Sequence, residues 1–191
     1  VRQMAADWGY EALSKKAESY EICFVPDNDY RGFLKRRVDG LEARVDGGQF
    51  VNTAGDVIGT HKGYPFYTIG QRKGLGVAFG EPMYVTEIRP DTNTVVLGRQ
   101  EELVRNGMMV GKVNRMKYDQ IPDGTEAVTM IRYNDQGTLS QLSNIGENIH
   151  VDFYANVKGV APGQSAVFYE GDDVLGGGII HGSFLDEGRQ N

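Results

Sequence analysis

The only cysteine of the 191-residue chain, Cys23, lies in the stretch Tyr20 to Pro26, YEICFVP. A thiol does chemistry as its thiolate, which needs exposure and a nearby cation or helix end to lower its pKa. Between Ile22 and Phe24 the simpler assignment is a small buried hydrophobe. A second stretch with chemical potential is Tyr64 to Val77, YPFYTIGQRKGLGV. Tyr64, Phe66 and Tyr67 precede a loop in which Gly70, Gly74 and Gly76 surround Gln71, Arg72 and Lys73. Glycines let a backbone approach a ligand or turn sharply. No Gly-Lys-Ser/Thr follows, and Phe79 stands where a dinucleotide fingerprint needs its third glycine. A basic glycine loop beside aromatics suits an RNA backbone with stacked bases, and equally an ordinary turn. Arg132-Tyr133 ends an expected strand before the turn Asn134-Asp135-Gln136-Gly137. Its guanidinium can pair with phosphate and its ring can stack on a base, the alternative being a plain strand-end pair. Pro162-Gly163-Gln164 forms a turn that holds the Gln164 amide in place. No Ser/His/Asp array or paired-carboxylate site stands out, and Asp172-Asp173 reads as a turn charge pair.

Composition bounds the remaining chemistry. Hydrophobic residues make up 40% of the chain and charged residues 24%, a globular balance. No apolar run is long enough to span a membrane, and no signal-peptide pattern opens the sequence. One cysteine forms no internal disulfide. The three histidines, His61, His150 and His181, lack metal-ligand spacing. Residues 1–80 carry 11 Lys/Arg against 10 Asp/Glu, whereas residues 81–191 carry 9 against 16. Any nucleic-acid contact must therefore be made by local patches, not by a whole-protein field.

These residues need elements to position them. Val1, Met4, Ala5 and Trp8 recur at helical spacing with Gly9 as a C-terminal cap. That helix has no N-cap signal, so we expect the chain to be a fragment whose helix begins upstream. Asn28 or Asp29 should cap a second helix with Tyr30, Phe33, Leu34 and Val38 on its apolar side. Lys35, Arg36 and Arg37 fall in its last turns, matched to the helix dipole or facing phosphate. Residues 45–62 read as a β-hairpin turning at Thr53 to Asp56. From Glu81 onward seven or eight short strands alternate with turns, favouring a small antiparallel barrel whose closure removes exposed edges. The triplet Gly176-Gly177-Gly178 inside a strand predicts a bulge or tight backbone packing. The expected fold is mainly β with minor α. Residues 1–26 would end a preceding α/β domain, 27–80 a central α+β domain and 81–187 the barrel, with 188–191 a tail.

The stretches EICFVPDNDYRGFL, HKGYPFYTIGQRKGLGV, EPMYVTEI, TMIRY and APGQSAVFYEGDDVLGGGIIH, in this order, resemble the C-terminal two-thirds of the tRNA-specific 2-thiouridylases. The resemblance implies a transferase that places sulfur at C2 of a wobble uridine. An ATP-pyrophosphatase domain, using ATP and magnesium, would activate the C2 oxygen as an adenylate. A persulfide would carry the sulfur, and Cys23 matches the family's persulfide-bearing cysteine. The pyrophosphate loop and the second cysteine of the family have no counterpart here, so the chain alone should bind no cofactor and not complete the reaction. Implied partners are tRNA and a persulfide donor protein, for a cytoplasmic monomer. The family pattern places tRNA contacts at Arg132, Tyr133 and Gln164, with Arg72 and Lys73 as further candidates. Relatives often carry a basic residue just after the Arg-Tyr pair; Asp135 near that place would weaken or re-aim the contact. Two other readings remain: a non-catalytic RNA-binding barrel of translation-factor type with a structural Cys23, and a sulfur-transfer relative acting on another substrate.

Overall fold

The structure is a computed structural model that describes residues 2–15, 25, 27, 29–76 and 80–186. The chain divides into two compact units, Val1–Arg44 and Val45–Asn191. Cys23 lies outside the described residues.

In the first unit, α1 (Arg2–Asp7) ends in a glycine cap: Gly9 has φ +84°, Gly9 N–H donates to Ala6 O and Tyr10 N–H donates to Ala5 O. The expected apolar stripe of this helix is uncovered among the described residues, with Met4 52% and Trp8 70% exposed. A short α2 (Glu11–Ser14) follows. Helix α3 (Tyr30–Arg37) starts at Asp29, whose side chain accepts the Gly32 N–H at 2.8 Å. Of the three basic residues in its last turn, Lys35 pairs with Glu42 and Arg36 with Asp27, and the Arg37 guanidinium lies 5.8 Å from the Phe33 ring centroid. These local partners favour a solvated helix end over a phosphate-facing patch. A last helix, α4 (Leu41–Val45), leads into the second unit.

That unit holds two sheets. The first has the order β2-β1-β4-β3, from β1 (Gly48–Asn52), β2 (Val57–His61), β3 (Tyr84–Arg89) and β4 (Thr94–Gly98). The hairpin β1–β2 forms as expected, while β1 and β4 pair in parallel from Gln49↔Thr94 to Asn52↔Leu97. The second is a closed antiparallel barrel of β5 (Val104–Arg115), β6 (Thr125–Met130), β7 (Thr138–Ile145), β8 (Asn148–Lys158), β9 (Ser165–Glu170) and β10 (Asp173–Phe184), in the order β10-β5-β8-β7-β6-β9. The barrel thus has six strands and not seven or eight, and the change of sheet falls between Gly98 and Val104 instead of at Glu81. All five residues of β4 are buried, as a central strand requires. Among the described residues no helix is long and apolar enough to cross a membrane.

Alternation fills the barrel. Ile149, Val151 and Phe153 of β8 point inward with Met108, Val110, Leu142, Phe168 and Ile180. Two hydroxyls share this core without being orphaned: Thr129 and Ser140 bond at 2.7 Å, and Ser140 Oγ donates to Ala127 O at 3.0 Å. The glycine triplet combines both expected features. Register shifts flank it, and a Cβ on Gly176 would lie 2.5 Å from Asn114 O. On Gly177 and Gly178 a Cβ would meet Ala166 O and Gly111 O closer still. These neighbours are backbone, so no rotamer change relieves the clash. Gly177→Ala should therefore destabilise the unit by roughly 1–3 kcal/mol, read as a lower thermal midpoint. An unchanged midpoint would mean that the strands are not packed this closely.

His61 ends β2 at 5% exposure, its ring 5.0 Å from that of Phe50 and 5.3 Å from that of Tyr67. Its Nδ1 accepts the Gly63 N–H at 3.0 Å, so the neutral tautomer carries its proton on Nε2. Burial holds the imidazole pKa below its usual value. The unfolded chain then takes up a proton near pH 6.5 while the folded chain resists it, so this contribution is complete above that pH and shrinks as pH falls toward the folded value. Denaturation midpoints at pH 7.5 and 5.5 should show a smaller acid loss for His61→Phe than for the parent. Equal losses would remove His61 as the cause.

Candidate functional site

Barrel closure brings Arg132, Tyr133 and Gln164 together. One of the pairs that close the barrel, β6 with β9, runs through Val128↔Tyr169, Thr129↔Phe168 and Met130↔Val167. It sets the segment leaving β6 beside the segment entering β9, although Arg132 and Gln164 are far apart in sequence. Met130, Arg132, Tyr133, Gly163, Gln164 and Tyr169 line one open cleft of about 630 Å3.

Each of the three side chains is held by its backbone. Ile131 is buried and anchors the β6–β7 loop to the barrel. The Asp135 carboxylate accepts the Ile131 N–H at 3.0 Å and the Gly137 N–H at 3.3 Å, and Asp135 N–H donates to Arg132 O at 3.1 Å. Asp135 thus shapes the loop that presents the Arg-Tyr pair, a role that sequence reasoning missed. A carboxylate two to four residues from the amides it accepts was the available signal. Tyr133 is 95% exposed, so its ring faces are free for stacking. The Arg132 guanidinium reaches over Gly159, with Nη1 3.4 Å from where a Cβ on that glycine would stand. Gln164 is exposed at the end of its turn. The turn is clamped to β10 by Gly163 N–H donating to Ile180 O and Ile180 N–H donating to Gln164 O, both at 2.8 Å.

Gln164 also lines a second cleft of about 720 Å3 between the two sheets, with Tyr64, Tyr67, Glu87 and Arg105. Arg105 joins the sheets by donating to Glu102 O at 2.9 Å, Val104 O at 2.7 Å and Thr86 O at 3.3 Å. Glu87 titrates below its usual range, chiefly through its hydrogen bonds from Arg89 at 2.8 Å.

Arg72 and Lys73 are exposed on a separate loop and line neither cleft. That loop is built. Gln71 accepts the Thr68 N–H at 3.0 Å and donates to Lys73 O at 2.9 Å, while Gly70 and Gln71 pair with Val85 of β3. Gly70 and Gly74 have φ of +83° and +73°, which the turn requires. The barrel end thus carries a cation, an exposed ring and an amide on the rim of one cleft.

Comparison with known proteins matches the two sheets separately. The family profile described as tRNA methyl transferase PRC-barrel domain matches residues 31–99, and the one described as Aminomethyltransferase beta-barrel domain matches residues 105–180. The junction between them falls where the strands change sheets. The chain is 57% identical over 98% of its length to the tRNA-specific 2-thiouridylase MnmA of Cytophaga hutchinsonii, covering 51% of that protein. It is 56% identical over 96% of its length to that of Amoebophilus asiaticus, covering 49%. For Salinibacter ruber the values are 50%, 95% and 48%. The chain spans about half the length of these relatives, and along that half it belongs to the tRNA-specific 2-thiouridylase family.

Proposed function

We propose that this chain supplies the tRNA grip and the sulfur-carrying cysteine of a tRNA 2-thiouridylase. The observation that carries the first part is the convergence of Arg132, Tyr133 and Gln164 on one cleft, with the Tyr133 ring open to solvent. The relatives are named for tRNA, and an arginine, a stackable ring and an amide on one rim suit an unstacked nucleotide and its phosphate. Arg72 and Lys73 form a further contact on the sheet side.

Cys23 carries the sulfur. Its thiolate attacks the outer sulfur of a donor protein's persulfide, the donor leaves as a thiolate, and Cys23 keeps the sulfane sulfur as its own persulfide. ATP and magnesium belong on this reading to the whole protein. This reading asks the described residues only to hold RNA and place the sulfur-carrying segment. No ATP-dependent step is assigned to them, and the chain alone does not complete thiolation. It works as a cytoplasmic monomer with tRNA and the donor as partners.

Two measurements test this. In tRNA titrations over a range of salt, Arg132→Ala should bind several-fold more weakly with a log–log salt slope shallower by about one. Tyr133→Ala should lose roughly 1–3 kcal/mol, as stacking does, at unchanged slope. Parent-like binding by both variants would remove the cleft as the RNA site. Separately, incubation with a sulfur-donor system should add the mass of one sulfur atom to the chain and none to Cys23→Ala. A parent chain that stays unmodified while its thiol is accessible would favour the non-catalytic RNA-binding module.

A further inference from the structure

Residues 81–191 are acidic, yet only three of their eight described cations are paired with carboxylates. Arg89 pairs with Glu87, Arg99 with Glu81, and Lys117 with both Glu170 and Asp173. Arg105 is spent on three carbonyls. Among the described residues Lys112, Arg115, Arg132 and Lys158 have no carboxylate partner. Arg132 reaches over Gly159, next to Lys158. Lys112 and Arg115 are elsewhere, in an open cleft of about 620 Å3 with Gln120, Glu147, Asn148 and His181.

That cleft is shaped by a bulge. Between the pairs Gly111↔Ile179 and Asn114↔Gly177, strand β5 carries Lys112 and Val113 against the single residue Gly178 of β10. Bulges re-aim side chains, and the residue that turns in the left-handed region is ordinarily glycine. Here it is Lys112, at φ +49°, one of two non-glycine residues with positive φ among those described. Such strain persists only where surrounding structure enforces it, and it gathers at binding sites. The next features converge on the same place. Arg115 Nε is buried without a hydrogen-bond partner among the described residues. His181 and Asn148 pack over Gly111, where a Cβ would collide with His181 Cε1 and lie 2.7 Å from Asn148 Oδ1. Two unpaired cations, a ring nitrogen and two amides thus face one concavity, with Glu147 the sole carboxylate of its lining.

We propose that the Lys112–Arg115–His181 cleft is a second phosphate site of the barrel, taking a backbone phosphate from a different segment of the bound RNA than the one at Arg132. This rests on the reading that the chain grips tRNA. A polyanion suits it better than a small anion, because Lys112 and His181 are exposed and the cleft is open. Lys112 lies eight residues along β5 from Val104, which pairs with Lys158 beside the Arg132 site, so about 25 Å of strand separates the two contacts.

The test is titration of an unmodified tRNA transcript into the chain and its Lys112→Gly, Arg115→Gln and Arg132→Ala variants over a range of salt, with thermal melts of each. Lys112→Gly should bind several-fold more weakly, with a slope shallower by about one, yet melt no lower than the parent, because glycine accepts φ +49° without strain. Arg115→Gln should lose affinity and slope by similar amounts. Parent-like binding by both cleft variants beside a weakened Arg132→Ala would overturn this site and leave the tRNA reading standing. If none of the three changes binding, the tRNA reading itself fails and takes this site with it. Competition by inorganic phosphate alone, with the tRNA slopes untouched, would make the cleft a small-anion site and overturn the RNA assignment.

Discussion

Closure of the barrel by three residue pairs between β6 and β9 is the constraint on which the meeting of Arg132, Tyr133 and Gln164 depends. Without Val128↔Tyr169, Thr129↔Phe168 and Met130↔Val167 the six strands would form an open sheet with two exposed edges. Arg132 and Gln164 would then leave opposite edges of that sheet. The inward residues of this short ladder, Thr129 and Phe168, have no exposed surface, so the closure is sealed from inside. The Thr129–Ser140 hydroxyl pair, satisfied through Ala127 O, extends that seal to β7. Core packing and site geometry are therefore one problem in this fold: loosening the ladder would open the barrel and part the site residues together.

Given closure, the remaining positioning is inexpensive. A single carboxylate, Asp135, accepts two loop amides, and Ile131 sinks into the barrel end, so Arg132 and Tyr133 project from a loop that is already shaped. A ring as exposed as that of Tyr133 contributes little to folding, and it gains most when a base covers it. Gly159, at φ +75°, supplies the turn over which the guanidinium lies. The site is thus built by backbone and small residues around the groups that act, which lowers the ordering cost of binding.

Much of this organisation was legible in the sequence, wherever a local rule decides. Asp29 caps α3, the hairpin turns at Thr53 to Asp56, and Gly176 to Gly178 mark both a bulge and close packing. Partner choice between strands was not legible. Alternation tells that β3 and β4 are strands but not which sheet takes them, and β4 finds β1 in a parallel pairing across some forty residues of chain. Asp135 was expected to disturb the phosphate contact, because its charge is visible in sequence and its two amide partners are not. The Lys112 cleft left no sequence signal at all. It needs a bulge on β5, the β7–β8 turn and β10 to meet, and only the register brings them together.

The charge distribution then says how such a surface must work. With 16 acidic against 9 basic residues in positions 81–191, its average field repels a polyanion, and long-range steering cannot bring RNA to the barrel. Attraction is left to the few cations that lack carboxylate partners, acting within about 10 Å at moderate salt. A cluster of that reach is effective only when a phosphate is already close, so affinity must come from several such places engaged at once. Lys158, next to the Arg132 site, and the Lys112–Arg115 pair are separated along β5 by more than that screening length, so on the proposed reading each site faces its own segment of RNA. If the chain grips RNA as proposed, an acidic barrel with isolated cationic contacts favours an RNA whose shape presents phosphates at both places together over strands that can satisfy only one.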